Sequence, residues 1–156
     1  MDRTGRNRAT RLGRRLGNVA LARWPLNHDL PPDDALAIEQ LYARYNHAIH
    51  LGDGAAWADC FTANGEFSNP REVVSGRQAL AAYAAEFSTP RDARYWINNL
   101  VLEISGPGVR GSCYLLLLHV VPGEPAALHL TGVYTDTLER TSDGWRFATR
   151  HVARDL

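Results

Sequence analysis

The sequence predicts an α+β fold in which helices precede a long antiparallel sheet. Apolar side chains recur at helical spacing over residues 38–49, which indicates a helix with one stripe facing a core. Farther along, extended apolar segments are separated by short turns rich in Gly and Pro. The predicted strands are Ala93–Ile104, Val109–Val121, Ala127–Thr141 and Trp145 to about Val152. Helices followed by such a meander are typical of the α+β class.

The first two helices are predicted from their stripe and their boundaries. The sequence Leu51-Gly52 ends the first helix, and Asp53 is placed to cap a short second helix that runs through Trp57 to Phe61. The residues of the first helix that face the core are Ile38, Leu41, Tyr42, Tyr45, Ala48 and Ile49.

A turn, a strand and a third helix are predicted next. The pair Asn64-Gly65 predicts a turn that starts a strand at Glu66. Ser75 is the predicted N-cap of a helix from about Arg77 to Phe87, and residues 89–92 form a loop.

Length and charge divide the 156 residues into an arm, 1–32, and one domain, 33–156. The arm carries seven Arg against two acidic residues, whereas the domain carries ten Arg against fifteen. The domain therefore lacks the basic surface of a nucleic-acid-binding protein. The arm is interpreted as a flexible extension, with a short helix on an anionic surface as the alternative.

Several function classes are excluded or disfavoured by composition. All seventeen basic residues are Arg, so no lysine can form a Schiff base. No apolar run approaches the ~20 residues of a membrane span. Cys60 and Cys113 lie in predicted core positions, which favours buried thiols and a cytoplasmic protein, with a disulfide between them as the alternative. No metal-ligand spacing, phosphate loop or cofactor signature is visible, so neither a metal nor a cofactor is expected.

The order of these segments resembles that of the SnoaL-like proteins of the nuclear transport factor 2-like superfamily. The resemblance rests on the long and short helices before Asn64-Gly65, on Val73–Ala79, on Arg94–Asn99, and on the closing segments Gly132–Asp136 and Gly144–Phe147. It implies a cone-shaped, curved, mixed or antiparallel sheet with three N-terminal helices around a pocket. Relatives include polyketide cyclases, scytalone dehydratase, ketosteroid isomerase and limonene epoxide hydrolase.

The resemblance also implies catalytic positions, and this chain departs from two of them. Tyr45 matches a pocket tyrosine of the dehydratase-like members, and a core tyrosine is the alternative. His50 stands where the family commonly has an Asp, and Tyr95 stands where relatives often have a His. His50 is either a proton carrier or a helix-end residue. Alternation places Tyr95, Ile97 and Asn99 on one face of a strand, where Asn99 is either a substrate donor or a structural amide.

Two further histidines are brought together by the predicted hairpin at Pro122–Pro125. Either histidine lines the pocket or lies elsewhere, with its hydrogen bonds satisfied; His129 is preferred as a catalytic residue, and His119 is expected to bind substrate. The remaining residues expected in the pocket wall or core are Trp57, Phe61, Trp96 and Leu118.

The functional expectation is a cofactor-independent acid/base enzyme, a dehydratase, isomerase, cyclase or epoxide-opening enzyme. Its substrate would be small, apolar and oxygenated, such as a polyketide, steroid or terpenoid. The alternative is a non-catalytic ligand-binding or assembly module.

The apolar run Tyr114–Val121 does not alternate between apolar and polar residues, which favours a homodimer through the outer sheet face. A locally apolar, exposed strand is the alternative.

Overall fold

A computed structural model describes residues 30–86 and 93–155. The predicted arm, apart from its last residues, and the loop 89–92 lie outside the described residues. The described residues form nine elements: α1 (Pro32–Leu51), α2 (Gly54–Ala58), β1 (Phe61–Asn69), β2 (Glu72–Ser75), α3 (Arg77–Glu86), β3 (Ala93–Ser105), β4 (Gly108–His119), β5 (Ala127–Thr141) and β6 (Gly144–Arg154).

The strands form one curved sheet in the order β2-β1-β6-β5-β4-β3. Neighbouring strands are antiparallel except β1 and β6, which are parallel. The helices pack on one face of the sheet, which we call the inner face. The opposite face is called the outer face. The predicted α+β class with a mixed sheet and three helices is confirmed.

The first helix is built as its sequence predicts. Pro32 occupies its first turn with Asp33 and Asp34, which suit the positive end of the helix dipole. Gly52 ends it in a left-handed conformation with φ of 69°. The six residues of the predicted stripe are all buried. Asp34 also accepts hydrogen bonds from Trp145 Nε1 and Arg140 Nη1, which tie the start of α1 to β5 and β6.

The short second helix is also confirmed. The Asp53 carboxylate accepts a hydrogen bond from the Ala56 amide at 3.0 Å, as an N-cap residue does. The helix ends at Ala58, three residues before the predicted end, because β1 already begins at Phe61.

Two local predictions are wrong. Asn64-Gly65 is not a turn before a strand but lies within β1, where the pairing with β6 slips between Phe61 and Glu66. A Cβ at position 65 would lie 2.7 Å from the Phe61 Cβ, so the irregular strand needs Gly there. Ser75 does not cap α3, because it ends β2 and donates its hydroxyl to Glu66.

The outer face of the sheet is apolar around β3, β4 and β5. Trp96, Tyr114 and Leu128 are exposed, and Leu116 and Leu118 beside them are half-buried. On the inner face of β4, Leu115 and Leu117 are buried. The lack of alternation in β4 therefore reflects apolar side chains on both faces of the strand.

Among the described helices, none has the length and apolar character needed to cross a bilayer.

Candidate functional site

A pocket of about 300 Å³ lies between the helices and the inner face of the sheet. Its volume is at the lower end of the range of small-molecule sites. It is lined by Tyr45, Ile49, Trp57, Phe67, Arg71, Tyr83, Ala93, Tyr95, Leu115, Leu117, His119, His129, Leu130, Tyr134, Val152 and Arg154. The interior is thus apolar and aromatic, with hydroxyl, imidazole and guanidinium groups added.

Two histidines meet at this pocket because β5 contains a bulge. Leu117 pairs with Leu130 and Leu118 with Leu128, so His129 is an extra residue in its strand. Leu128 is exposed on the outer face, whereas His129 and Leu130 both line the pocket. His119 Nε2 and His129 Nδ1 are 3.0 Å apart, within hydrogen-bond distance.

This contact has a chemical consequence. In a hydrogen bond between two imidazoles, one nitrogen donates and the other accepts. When His129 Nδ1–H donates to His119 Nε2, the Nε2 atom of the neutral His129 ring carries no proton. That nitrogen can accept a proton, and the Nδ1–H bond to His119 then stabilises the imidazolium.

Tyr45 and Tyr134 supply phenols to the inner end of the pocket. Both rings are buried, and their centroids are 6.1 Å apart in an edge-to-face arrangement. Burial raises the pKa of Tyr45 well above its ordinary value, so its hydroxyl stays protonated and serves as a donor. Tyr95 and Tyr83 are half-buried and add two more phenols.

His50 lies in a separate depression of about 340 Å³ with Asn46, His47, Arg94 and Tyr95. Its Nε2 is 3.2 Å from Arg94 Nη1, so the guanidinium donates and the imidazole accepts. His50 does not line the pocket that contains His119 and His129. Tyr95 lines both cavities and stands between them.

The other sequence-predicted residues divide between the pocket and other locations. Trp57 is buried and lines the pocket. Phe61 is buried against Tyr45 but lines a different cleft of about 800 Å³. Trp96 and Leu118 are on the outer face, and Trp96 is 63% exposed.

Asn99 is the remaining predicted residue. The pairing of β3 with β4 is irregular between Asn98 and Val101, and Asn99 has φ of 54°. Tyr95 and Ile97 pack on the inner face as predicted, but the alternation then shifts and Leu100 takes the next inner position. Asn99 is exposed and does not line the pocket.

A buried ion pair, absent from the sequence predictions, lies behind the inner end of the pocket. Arg150 Nη1 and Asp136 Oδ2 are 3.4 Å apart, and both side chains are inaccessible to solvent. Tyr42 donates a 2.6 Å hydrogen bond to the same carboxylate oxygen. The guanidinium carbon lies 3.8 Å from the ring centre of Tyr134 and 4.2 Å from that of Tyr45. The cation is therefore held by aromatic faces as well as by one carboxylate.

Burial controls the ionisation of this pair. Burial raises the pKa of Asp136 to about 6, although Arg150 and the Tyr42 hydrogen bond act in the opposite direction. Burial alone would lower the pKa of Arg150, but Asp136 and the surrounding phenols raise it above its ordinary value. Within the described residues, the three guanidinium nitrogens make no hydrogen bond that meets ordinary geometry.

The sequence pattern indicates one residue of this pair, Asp136, as an inner-face residue. Alternation in β5 places Asp136 between Tyr134 and Leu138 on the inner face, where a carboxylate needs a partner. Arg150 could not be assigned in the same way. Phe147 pairs with Leu138 and Thr149 with Thr137, so Ala148 is an extra residue, and strict alternation from Phe147 would have turned Arg150 outward.

Similar folds occur in solved structures. A protein of unknown function from Mycobacterium tuberculosis is 30% identical, with a TM-score of 0.70 over 79% of this chain and 77% of that one. The protein Aln2 from a Streptomyces species is 26% identical, with a TM-score of 0.73 over 81% and 94%. A protein from Catenulispora acidiphila, solved in complex with S-DNPA, is 28% identical, with a TM-score of 0.68 over 78% and 92%.

Sequence comparison gives the same family. No functionally curated protein matches the chain. The SnoaL-like domain, however, matches residues 33–151, which include all or most of each of the six strands and nearly the whole described region. The chain therefore belongs to the SnoaL-like family.

Proposed function

We propose that this protein is a cofactor-independent acid/base enzyme that acts on a small, apolar, oxygenated molecule such as a polyketide, steroid or terpenoid. The reaction is a proton transfer that leads to dehydration, isomerisation, cyclisation or epoxide opening. The family includes polyketide cyclases and dehydratases, which supports this reaction class. The observation that carries the proposal is the His119–His129 hydrogen bond at a pocket whose wall is mainly apolar and aromatic.

The roles follow from the geometry of the pocket. His129 acts as the base and removes a proton from a carbon next to a carbonyl group, and His119 accepts the hydrogen bond from the resulting imidazolium. Tyr95 and Tyr45 donate hydrogen bonds to the carbonyl oxygen, which gains negative charge as the proton leaves. The apolar side chains of Trp57, Leu115 and Val152 lower the polarity around the phenols and so strengthen their hydrogen bonds.

The proton-transfer step can be tested before the natural substrate is known. 2-Tetralone is a two-ring ketone with acidic α-protons, and NMR in D₂O measures their exchange. The protein should accelerate exchange, and His129→Ala should lower the rate by ~10² to 10⁴, the usual contribution of a general base. His47→Ala, an exposed residue of α1 outside this pocket, is the matched control and should keep the wild-type rate. Exchange no faster than with an equal concentration of imidazole would reject the proposal.

A non-catalytic ligand-binding module is the second candidate. It is favoured by the position of His50 outside the pocket and by Arg150, whose side chain and surrounding rings occupy part of the inner face. Tight binding of an aromatic ligand without any exchange of 2-tetralone protons would favour this function over catalysis.

The protein is also proposed to form a homodimer through the outer face of the sheet. Trp96, Tyr114 and Leu128 form an exposed apolar surface across three neighbouring strands. Light scattering should give the mass of a dimer at micromolar concentration, and Trp96→Glu should shift it to a monomer. A monomeric wild-type protein would reject the dimer.

A cytoplasmic location remains a proposal. Cys60 and Cys113 are buried free thiols, as expected for a protein kept in a reducing compartment. Cell fractionation with the intact chain tests it, and recovery in the extracytoplasmic fraction would contradict it.

A further inference from the structure

The ionisable groups that line the pocket are all cationic, imidazole or phenolic. Arg71 and Arg154 line it together with two histidines and four tyrosines. Among the described residues that form its wall, none is Asp or Glu. A pocket with this composition has a positive potential when its histidines are neutral, and more so when either is protonated.

The two arginines remain available for a ligand. Both side chains belong to exposed residues at the mouth, and neither forms an ion pair within residues 30–86 and 93–155. Two acidic residues lie close by, but both are exposed and outside the pocket wall. Glu72 follows Arg71 in the chain and lies near Tyr83, and Asp155 accepts a 2.8 Å hydrogen bond from Thr131.

The cation of the buried ion pair lies directly behind the pocket wall. Arg150 lies against Tyr134 and Tyr45, which line the pocket. Asp136 is hydrogen-bonded to Tyr42, which does not line it. The guanidinium of the pair is therefore in contact with two residues of the pocket wall.

We propose that the pocket binds an organic anion, with a one- or two-ring body in the apolar interior and a carboxylate held at the mouth by Arg71 and Arg154. Guanidinium groups bind carboxylates through paired, charge-assisted hydrogen bonds, so the mouth can distinguish a carboxylate from a neutral group of the same shape. This substrate class rests on the proposed function, because it assigns the same pocket to the substrate.

Two probes of nearly equal shape test the charge preference directly. 2-Naphthoate is an anion at neutral pH, and 2-naphthamide is its neutral counterpart. Calorimetric titration of the full-length protein should give an affinity for 2-naphthoate at least ~10-fold higher than for the amide, within the range of a hydrogen bond to a charged group. Arg71→Gln and Arg154→Gln should each reduce this ratio, and the double variant should bring it close to one. Arg44→Gln, an exposed arginine of α1 outside the pocket, should leave the ratio unchanged.

Each other outcome overturns the inference. Equal affinity for the two probes, preference for the amide, or no binding of 2-naphthoate would show that the mouth does not select an anion. A preference that survives in the double variant would show that the two arginines do not cause it. Failure of the charge preference is distinguishable from failure of the proposed function, because exchange of 2-tetralone protons requires no negative charge on the ligand.

Discussion

The inner face of the sheet carries two polar clusters that differ in access. In the closed cluster, Asp136 and Arg150 are fully buried and surrounded by aromatic rings. In the open cluster, His119 and His129 stand at the mouth of a pocket. Both clusters depend on a bulge, at Ala148 in β6 and at His129 in β5.

The difference shows that a perturbed pKa alone does not identify a site in this protein. Burial raises the pKa of Asp136 to about 6, yet this residue does not line the pocket. Such shifts are frequent in catalytic groups but also arise in structural ion pairs. The two clusters therefore differ in access. We expect the closed cluster to stabilise the fold, and we propose that the open cluster contacts the ligand.

The largest expected effect comes from breaking the closed cluster. Arg150→Met leaves the Asp136 carboxylate buried without its cation, and removal of one partner of a buried pair costs about 3–5 kcal/mol. Urea denaturation should show a decrease of this size in the free energy of unfolding. Arg44→Met, on the exposed face of α1, should change it by less than about 0.5 kcal/mol.

A double variant tests whether the decrease in the free energy of unfolding comes from the loss of the ion pair. In Arg150→Met with Asp136→Leu, no buried charge remains, and much of the lost stability should return. If Arg150→Met is as stable as the wild type, the ion pair does not stabilise the closed cluster.

The pH dependence of stability gives a second test of the closed cluster. The pKa of Asp136 is raised in the folded state to about 6 from an ordinary value of 3.8, so the native state binds the proton more tightly than the unfolded chain. The stability that protonation contributes is fully present below about pH 4 and is lost as pH rises to about 6, by an amount on the order of 3 kcal/mol.

Asp136→Asn isolates this contribution from the other carboxyl groups. The variant cannot ionise at this position, so its stability should lack the loss between about pH 4 and about pH 6. The difference between wild type and variant, measured by denaturant unfolding at several pH values, should therefore change across this interval. A constant difference would show that Asp136 has no raised pKa in the folded protein.

The sequence predicted the regular parts of this structure well. The stripe on α1 and the bounds of β3 to β6 follow from periodicities that the backbone enforces along whole elements. Tyr45, Tyr95, Trp57, His119 and His129 were all predicted as site residues, and the structure brings these five to one pocket.

What the sequence did not show depends on bulges and on pairing at long range. The irregular stretch in β3 shifts Asn99 away from the inner face, and the slip within β1 turns a predicted turn into strand. The Asp136–Arg150 pair depends on the extra residue Ala148 in β6. One inserted residue reverses the faces of all that follow, so alternation read along a single strand cannot find such pairs.

The smallest expected effect separates His50 from the open cluster. His50 lies across Tyr95 from the pocket and accepts a hydrogen bond from Arg94. His50→Ala removes that bond and a side chain in the last turn of α1, which should cost a few tenths to ~1 kcal/mol of stability. The exchange rate of 2-tetralone should stay within about twofold of the wild type, in contrast to the large loss expected for His129→Ala. A loss in His50→Ala equal to that in His129→Ala, with stability retained, would show that the depression and the pocket act as one site joined through Tyr95.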